Sequence, residues 1–503
     1  MKKIYLTTPL YYVNDKPHIG HGYTTILADV LSRYHRLFGK DVFFLTGTDE
    51  HGQKVQEAAL KLKTTPKEHV DKFHKNYIDL WSKLNINYDK FIRTTDTNHV
   101  NKVKKVLQSL WEKEEIYLDE YEGLYSVSEE RFITEKEYEE GDYREIKRLK
   151  EKNYFFKMSQ YQEQLIEHIN QNPDFIMPES RKNEILGFLK KPLDDLCISR
   201  PKNRLEWGIE IPFDKDYVTY VWFDALLNYI TGVEWDNDNN FFNNWWPADY
   251  HLMGKDIITT HAVYWVTMLM ANNLPLPKHI VAHGWWLIDK TKMSKSIGNV
   301  IDPIELINHY GEDSLRFFLM REMTLGQDAS FSFDLFKRRY NDDLANDLGN
   351  LLNRITILIR KFCDNSVPQI KNKDNVDSDL INKINTLPAK TFENIDNLKI
   401  NLAIENIMSL VRSINKYLEI KEPWKKLKDN NTNQDGLNAL SISCEAIALA
   451  AKLLYPVMPR KCNEIFNILG IESGSEKNLD FGKISKNCIK KHEALFPRIE
   501  END

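Results

Sequence analysis

The sequence predicts an α/β fold built on a parallel sheet, interrupted by an insertion and followed by an all-helical region. Strand, long helix and strand follow one another in the first fifty residues, a charged irregular segment occupies the middle, and helical periodicity dominates beyond Asp334. A chain of 503 residues is also long enough for about three domains. The order of elements therefore predicts a split α/β domain, an inserted module and a helical bundle.

The first βαβ unit opens with a short apolar strand over residues 4–6. Apolar residues then recur at helical spacing from Ile26 to Phe38, and Gly39 stands where a helix C-cap belongs. A second buried strand is predicted over residues 42–45, with another helix opening near Asp49. This order predicts parallel strands joined by a right-handed crossover, with ligands bound at the carboxyl ends of the strands.

Residues 117–216 break this pattern and are rich in charge, so they are predicted to form an insertion. The α/β pattern resumes over residues 218–232, with further strands over 250–253 and 278–282. Beyond Asp334, amphipathic stretches over 335–362, 379–386, 402–417 and 441–455 predict the helical bundle.

Composition excludes several classes of protein. The net charge is −6, so a nucleic-acid partner must bind local basic patches, and no window approaches the roughly 18 uninterrupted apolar residues of a membrane span. The N-terminus enters a predicted strand at once, which leaves no room for a signal peptide. The five cysteines lie far apart with no CxxC pair, which favours reduced thiols in a cytoplasmic protein over disulfides or a cysteine-built zinc site.

A histidine motif, His18-Ile19-Gly20-His21, begins the long first helix. The helix dipole, free backbone N–H groups and two imidazoles would favour a phosphate here, and the glycine lets it approach. The alternative is two helix-start histidines of no special role, or a fortuitous metal pair.

A lysine motif, Lys292-Met293-Ser294-Lys295-Ser296, follows a late strand and precedes Gly298. Two ammonium groups three residues apart, with hydroxyls nearby, suit a polyphosphate whose negative charge grows during reaction. For the motif on its own, the alternative of a solvated pair of surface lysines is the preferred interpretation.

Together and in this order, the two motifs resemble the HIGH and KMSKS signatures of class I aminoacyl-tRNA synthetases. Related nucleotidylyltransferases carry similar motifs but are much shorter and lack a long helical C-terminal domain. The flanking segments resemble the methionyl-tRNA synthetase family in particular, from about Ile4 to Ile499. They are residues 8–14 (TPLYYVN), 46–53 (TGTDEHGQ), 220–225 (YVWFDA), 254–256 (GKD), 282–285 (AHGW) and 495–498 (LFPR).

The resemblance implies a Rossmann-like catalytic domain over residues 1–116 and 217–333, a connective module over 117–216, and a helical anticodon-binding domain over 334–503. It implies activation of methionine with ATP to methionyl-adenylate, release of pyrophosphate, and transfer of methionine to the 3′ end of tRNA. Mg²⁺ is expected to accompany ATP on its phosphates. A monomer with no membrane association is expected.

The family's site residues carry over by similarity to matching positions. The methionine-binding residues are Leu10, Tyr12, Asp49, Trp222, Ala225, Tyr229, Ile257 and His261. The ATP-binding residues are His18, Gly20, His21, Gly254, Asp256, His283, Lys292 and Lys295, and the catalytic ones among them are His18, His21, Lys292 and Lys295. An apolar slot with ring edges suits a thioether, and Asp49 suits the ammonium. Without the resemblance, the spacing of Trp222, Ala225 and Tyr229 is ordinary core patterning.

For the anticodon, similarity assigns Asn346, Asn350, Arg354 and Trp424. The first three are spaced i, i+4, i+8 along one predicted helix face, and Trp424 lies near several lysines. Amides, cations and an aromatic platform suit unstacked bases. The alternative is a solvated helix face and a tryptophan that anchors the bundle.

One departure concerns zinc. Many members of the family hold zinc with cysteines in the insertion, but residues 123–132 contain none, so no structural zinc is expected. There are two alternatives to a methionine-specific enzyme. A synthetase-like RNA-binding or regulatory protein should have lost the motifs or Asp49, which are intact, and a leucine, isoleucine or valine enzyme should carry a larger editing insertion.

Overall fold

The computed structural model describes residues 2–13, 16–126, 131–133, 138, 146–288, 291–292, 301–429, 431–472, 474 and 477–500. Within these residues the strands are β1 (Lys3–Thr7), β2 (Tyr11–Tyr12), β3 (Asp41–Asp49), β4 (Lys90–Arg93), β5 (Ile116–Ser126), β6 (Arg131–Ile133), β7 (Ile146–Phe156), β8 (Ile176–Met177), β9 (Leu196–Cys197), β10 (Ser199–Pro201), β11 (Glu210–Ile211), β12 (Asp214–Thr219), β13 (Tyr250–Gly254), β14 (His279–His283), β15 (Trp286–Ile288), β16 (Thr291–Lys292) and β17 (Ala329–Ser330).

The α-helices are α1 (Ile19–Leu37), α2 (Gln53–Lys61), α3 (Pro66–Lys83), α4 (Thr97–Glu112), α5 (Gln162–Gln171), α6 (Glu179–Phe188), α7 (Val221–Leu226), α8 (Asn228–Thr231), α9 (Asn239–Trp245), α10 (Val266–Ala271), α11 (Pro303–Tyr310), α12 (Glu312–Glu322), α13 (Phe333–Arg339), α14 (Leu351–Phe362), α15 (Asn375–Asp396), α16 (Ile400–Lys421), α17 (Pro423–Lys426), α18 (Asn433–Leu454) and α19 (Pro459–Ile468). Two π-helical segments, Thr260–Trp265 and Tyr340–Asn350, and two 3₁₀ turns, Met158–Tyr161 and Lys255–Ile257, complete the set within the described parts of the chain.

The central sheet confirms the predicted parallel α/β core. Its strands run in the order β2-β3-β1-β13-β14-β8, β4 also pairs with β3, and every pairing is parallel. Helix α1 crosses between β1 and β3, ends one residue before the C-cap Phe38, and is followed by Gly39 at φ +77°. The predicted helix near Asp49 begins only at Gln53, because β3 continues through Asp49 to the edge of the sheet.

The segment predicted as an insertion contains two antiparallel sheets, β6-β5-β7-β9 and β10-β12-β11. One of its strands, β8, nevertheless pairs with β14 in the central sheet. The segment is therefore tied into the α/β core at its middle, which the sequence pattern did not indicate. The limits of the four predicted domains remain a prediction.

The helical region follows the prediction beyond Asp334, and its central helix α18 is buried along nearly its whole length. Among the described helices, α18 alone is long and apolar enough to cross a membrane, but 94% of that window is buried inside the protein. This burial is what the central helix of a bundle requires.

A buried arginine joins the helical region to the sheet. The Arg316 guanidinium on α12 donates to Asp29 Oδ2 on α1 at 2.6 Å and to the carbonyls of Leu84, Pro456 and Val457. Both charged side chains are fully buried, so a single guanidinium with four acceptors fixes the helix of the HIGH motif against the α18–α19 connection.

Candidate active site

The predicted substrate residues gather at the carboxyl edge of four adjacent parallel strands. Asp49 ends β3, Gly254 ends β13 and His283 ends β14, with β1 lying between β3 and β13. Tyr12 on β2 lies opposite Asp49 in register. The sheet order thus brings together segments that are more than two hundred residues apart, at the edge where α/β proteins bind ligands.

The HIGH motif forms a reciprocal cap at the start of α1. Nδ1 of His18 accepts a hydrogen bond from the Gly20 amide at 3.0 Å, and Nδ1 of His21 accepts one from the His18 amide at 3.1 Å. The expectation of free backbone N–H groups at this helix start is therefore wrong for these two amides, since the imidazoles cap them. Because each Nδ1 is an acceptor, each neutral ring carries its proton on Nε2, where it can be donated.

His283, which is predicted to lie near the nucleoside, contacts α1 at Thr24, one helical turn after Gly20. The Thr24 hydroxyl and His283 Nε2 are 2.7 Å apart, and His283 Nδ1 donates to the Gly284 carbonyl at 2.7 Å. Burial lowers the pKa of His283, which keeps this imidazole neutral and leaves Nε2 as an acceptor for Thr24. This contact joins α1 directly to the end of β14.

Gly254 and Asp256 complete this half of the site. A Cβ on Gly254 would lie 2.6 Å from Asp256 Oδ1 and 3.6 Å from His283 Cε1, so the absence of a side chain makes the close approach possible. The Trp285 indole donates to Asp256 Oδ1 at 3.2 Å. Gly254 therefore lies close to both Asp256 and His283, the two other residues predicted for the nucleoside.

The residues predicted for methionine form the other half of the site. His261 Nδ1 donates to the Ile257 carbonyl at 2.9 Å, so Nε2 accepts from the Tyr229 hydroxyl at 2.7 Å. Burial lowers the pKa of His261 to about 4, which keeps the imidazole neutral at physiological pH. The π-helical segment Thr260–Trp265 carries His261 and places it over Tyr229.

The walls around this pair combine buried and partly exposed side chains. Ala225 and Tyr229 are buried, whereas Leu10, Tyr12, Trp222 and Ile257 are partly exposed and pack against the same apolar core. The Trp222 and His261 rings meet edge to face with centroids 6.3 Å apart. Asp49 is 3% exposed at the end of β3, in register with Tyr12 of β2.

The predicted lysine motif lies almost wholly outside the described residues. Lys292 has a described backbone, in β16 opposite Leu287, but its side chain and all of residues 293–300, including Lys295, are outside the described part. The roles of Lys292 and Lys295 therefore remain predictions from the sequence.

The four predicted anticodon residues lie in the helical region, away from the sheet edge. The Asn350 amide donates to Asn346 Oδ1 at 3.4 Å, and the Arg354 guanidinium lies 5.7 Å from the centre of the Trp424 ring. The segment Tyr340–Asn350 is π-helical, not the α-helix that the spacing suggested, yet the structure still brings the amides together and sets the cation against the aromatic ring.

Two residues at the sheet edge were missed by the sequence reasoning. One is Thr24, which holds His283. The other is Arg200, which is 3% exposed, lies 4.7 Å from the Tyr220 ring and lines a small cavity beside Gly52 and Val221. A buried cation close to the residues that follow Asp49 suits an anionic substrate group, but no local pattern marks an arginine as buried.

Among the residues that the structure describes, no group of three or more His, Cys, Asp or Glu side chains is arranged to hold a metal ion. The stretch predicted to lack zinc lies partly outside those residues, so the absence of structural zinc stays a prediction.

Two family models match successive parts of the chain. Residues 4–141 and 142–356 match the family model described as tRNA synthetases class I (M), and residues 377–500 match the anticodon-binding domain of tRNA ligase.

Individual proteins match over almost the whole chain. The methionine–tRNA ligases of Clostridium acetobutylicum and Caldanaerobacter subterraneus are 45% and 44% identical, each over 99% of this chain and 78% and 79% of their own length. The solved Mycobacterium tuberculosis methionyl-tRNA synthetase in complex with methionyl-adenylate superposes with a TM-score of 0.95 at 38% identity, covering 99% of this chain and 100% of that one. Its apo form gives a TM-score of 0.87 at 36% identity, covering 99% of each.

Proposed function

The chain belongs to the methionyl-tRNA synthetase family, and from that membership we propose which of its side chains carry each step of the reaction. As a class I aminoacyl-tRNA ligase it activates methionine with ATP to methionyl-adenylate, releases pyrophosphate and transfers the methionyl group to tRNA. The observation that supports the assignment is that Asp49, Gly254 and His283 end strands of one parallel sheet at the same edge. The Tyr229–His261 pair lies against His251 of β13 in that sheet.

Methionine binds between Asp49 and the slot lined by Leu10, Tyr12, Trp222, Ala225, Tyr229, Ile257 and His261. The Asp49 carboxylate pairs with the substrate ammonium, and the apolar slot takes the flexible thioether against ring edges. Because the Tyr229 hydroxyl and His261 satisfy each other, the slot presents no unpaired donor from this pair to the sulfur. A charged side chain of similar length would have to be desolvated there, which favours methionine.

ATP binds across the start of α1 and the ends of β13 and β14. Gly254, Asp256 and His283 surround the nucleoside, Gly20 lets the phosphates approach, and the Nε2–H groups of His18 and His21 donate to phosphate oxygens. Mg²⁺ arrives with ATP as part of the substrate, held mainly by phosphate oxygens and water.

The reaction needs no covalent enzyme intermediate. A methionine carboxylate oxygen attacks the α-phosphorus, the bond to the β-phosphate oxygen breaks, and pyrophosphate leaves. Holding both substrates at one sheet edge supplies proximity, and Lys295 with Lys292 stabilises the charge that grows on the phosphates. A hydroxyl at the tRNA 3′ end then attacks the methionyl carbonyl and releases AMP.

Recognition of tRNA takes place on the helical region. Trp424 stacks on an unstacked anticodon base, and Asn346, Asn350 and Arg354 donate hydrogen bonds to base edges. The contact between the Arg354 guanidinium and the Trp424 ring supports this, because a cation beside an aromatic platform also attracts the neighbouring phosphate.

We place the protein in the cytoplasm as a monomer, without structural zinc. Five free cysteines are consistent with a reducing compartment. Elemental analysis of protein purified without added metal should give far less than one zinc per chain, and stoichiometric zinc whose removal unfolds the insertion would overturn that part of the proposal.

Amino-acid-dependent exchange of pyrophosphate into ATP tests the assignment most directly. Methionine should support exchange, and leucine, isoleucine and valine should not at equal concentration. Replacing Trp222 or Ile257 with alanine should raise the KM for methionine and leave the KM for ATP unchanged. An unchanged KM for methionine in both variants would show that the slot lies elsewhere.

A further inference from the structure

A buried carboxylate beside the methionine slot is bound on both of its oxygen atoms. Asp224 Oδ2 accepts from His51 Nδ1 at 2.6 Å and Oδ1 accepts from His99 Nε2 at 2.8 Å. The Asp224 side chain is 1% exposed, and His99 Nδ1 lies 2.9 Å from the Thr231 hydroxyl. Residues 51, 224, 99 and 231 thus form one continuous chain of hydrogen bonds, which joins three separate segments of the sequence.

Three members of this network, His51, Asp224 and Thr231, lie close in sequence to residues of the proposed methionine site. His51 lies two residues after Asp49, where β3 has ended, and its ring packs against Trp207 with centroids 5.4 Å apart. Asp224 lies in α7 between Trp222 and Ala225, and Thr231 ends α8 two residues after Tyr229. The network therefore spans from the ammonium end of the site to its apolar wall.

Helix α7, which carries Asp224, is short. It has only six residues and no side-chain cap at its N-terminus, and a helix of that length has little stability of its own. At about 100° per residue, Asp224 lies roughly 200° around the helix from Trp222. The carboxylate thus holds the helix from the side away from the Trp222 wall.

The carboxylate is ionised within the fold. Burial acts to raise the pKa of Asp224, but the neighbouring His51 and His99 outweigh it and hold the pKa below its ordinary value. A buried carboxylate that loses one of its donors remains charged and uncompensated, so the surrounding elements must shift to satisfy it.

We propose that Asp224 is a positioning residue of the methionine site, which fixes the α7 wall relative to Asp49 through His51 and His99. This inference rests on the proposed methionine site. Asp224 is assigned no contact with methionine, ATP or tRNA, and it acts on the reaction only through the geometry of the slot.

The test is Asp224→Asn, measured by pyrophosphate exchange. Asparagine keeps the shape of aspartate but offers one acceptor atom and one donor group, so one histidine N–H loses its acceptor. The KM for methionine should rise about tenfold, in line with the loss of one buried hydrogen bond. The kcat should change less than about threefold and the KM for ATP should stay within about twofold, because neither depends on this wall.

A matched variant separates an effect on the methionine site from a general loss of stability. Asp377 is equally buried and accepts from the Tyr417 hydroxyl at 2.7 Å and from Lys421 Nζ at 2.6 Å, but it lies in the helical region. Asp377→Asn should lower Tm and leave the KM for methionine unchanged. If the two variants raised that KM equally, Asp224 would be an ordinary structural residue and the proposal would be overturned.

A second pair of variants keeps the test open if Asp224→Asn does not fold. His99→Gln retains an N–H donor for Asp224 and should keep the KM for methionine within about threefold of the wild type, whereas His99→Leu lacks the donor and should raise it about tenfold. Equal KM values for the two His99 variants would contradict the proposal.

Trp222→Ala distinguishes failure of the proposed methionine site from failure of the positioning role of Asp224. If Trp222→Ala left the KM for methionine unchanged, the proposed methionine site itself would be wrong. If Trp222→Ala raised it and neither Asp224→Asn nor His99→Leu did, the site would stand and only the positioning role would be lost.

Discussion

The two recognition regions of this protein are built in different ways. In the proposed methionine and ATP site, two pairs of buried side chains hold each other: Tyr229 with His261, and Thr24 with His283, both at 2.7 Å. On the helical region, the predicted anticodon residues are partly or fully exposed, and their contacts are long, 3.4 Å for Asn350 to Asn346 and for Arg354 to Asn415.

This difference matches the two kinds of ligand. A small substrate that must react needs groups fixed before it arrives, because catalysis depends on orientation and on preorganised charge. Single-stranded bases are flexible and are recognised by stacking and edge contacts that adjust on binding. Variants in the proposed methionine and ATP site should therefore lose pyrophosphate exchange, whereas variants of the predicted anticodon residues should lose aminoacylation of tRNA.

The largest effect is expected for Asp49→Ala. Removing the carboxylate leaves the methionine ammonium unpaired in a buried site, which costs about 3–5 kcal/mol and should lower exchange by about 10³-fold. Binding of tRNA should stay nearly intact, as measured by filter retention. Asp41→Ala, at the exposed opposite end of the same strand, is the control and should behave like the wild type. If Asp49→Ala lost tRNA binding as well as exchange, the two regions would not act separately.

Lys295→Ala should come next. Losing one donor that acts mainly in the transition state costs about 3–4 kcal/mol, or 10²–10³ in the rate of exchange. Binding of methionine, measured by equilibrium dialysis in the absence of ATP, should be unchanged. Wild-type exchange kinetics in this variant would remove Lys295 from the mechanism.

Gly20→Ala tests the cap at the start of α1. The added Cβ would lie 2.8 Å from His18 Cε1, so the imidazole must move, and a displacement of about 1 Å in a reacting site can cost about 10²-fold. The loss should appear in the KM for ATP and in kcat. Gly187→Ala in α6, where the added Cβ meets nothing within 4 Å, is the matched control. Equal activity of the two alanine variants would mean that the His18 ring is not needed where it stands.

Trp424→Ala tests the other region. Loss of a stacking surface worth about 1–3 kcal/mol should reduce aminoacylation of tRNA with a CAU anticodon by roughly 5- to 150-fold. Asn350→Ala and Arg354→Ala should act in the same direction. Exchange without tRNA should change by no more than a few-fold, and Trp111→Ala, another partly exposed tryptophan, should affect neither assay. If Trp424→Ala lowered exchange as much as aminoacylation, the two regions would not act separately. If it changed neither, Trp424 would serve only to anchor the helical bundle.

The smallest effect is expected on the pH dependence of stability, at the junction between the two regions. Asp313 on α12 accepts from the Lys461 amide on α19 at 2.6 Å, and burial raises the pKa of Asp313 to about 6. Because the folded pKa lies above that of an exposed aspartate, the fold favours the protonated carboxyl. This contribution is full below about pH 4 and is lost as the pH rises through about 6, a change of about 2–3 kcal/mol.

Asp313→Asn removes that titration while keeping an oxygen that can accept from Lys461. Its urea midpoint should therefore exceed that of the wild type at pH 8, and the two should differ less at pH 5. Exchange and charging should be unaffected, since Asp313 is not among the residues predicted to bind methionine, ATP or the anticodon. A wild type more stable than the variant at pH 8 would show that the ionised carboxylate is favoured at the junction.

Much of this molecule could be predicted from its sequence. The parallel α/β core, the helical region, the C-terminal end of α1 near Gly39 and the family follow from periodicity and motifs, since each depends on residues close together in the chain. The placement of Asp49, Gly254 and His283 at strand ends also follows, because parallel strands end at one edge.

Other features were decided only by the tertiary structure. The pairs Thr24–His283, Tyr229–His261 and His51–Asp224 join residues between 32 and 259 positions apart, and the capping of Gly20 by His18 and the entry of β8 into the central sheet were not expected. The sequence determined which local elements form, because hydrophobic periodicity acts within a few turns. Which side chains hold the substrate groups in place depends on sheet order and crossovers, which bring distant segments together only when the whole chain has folded.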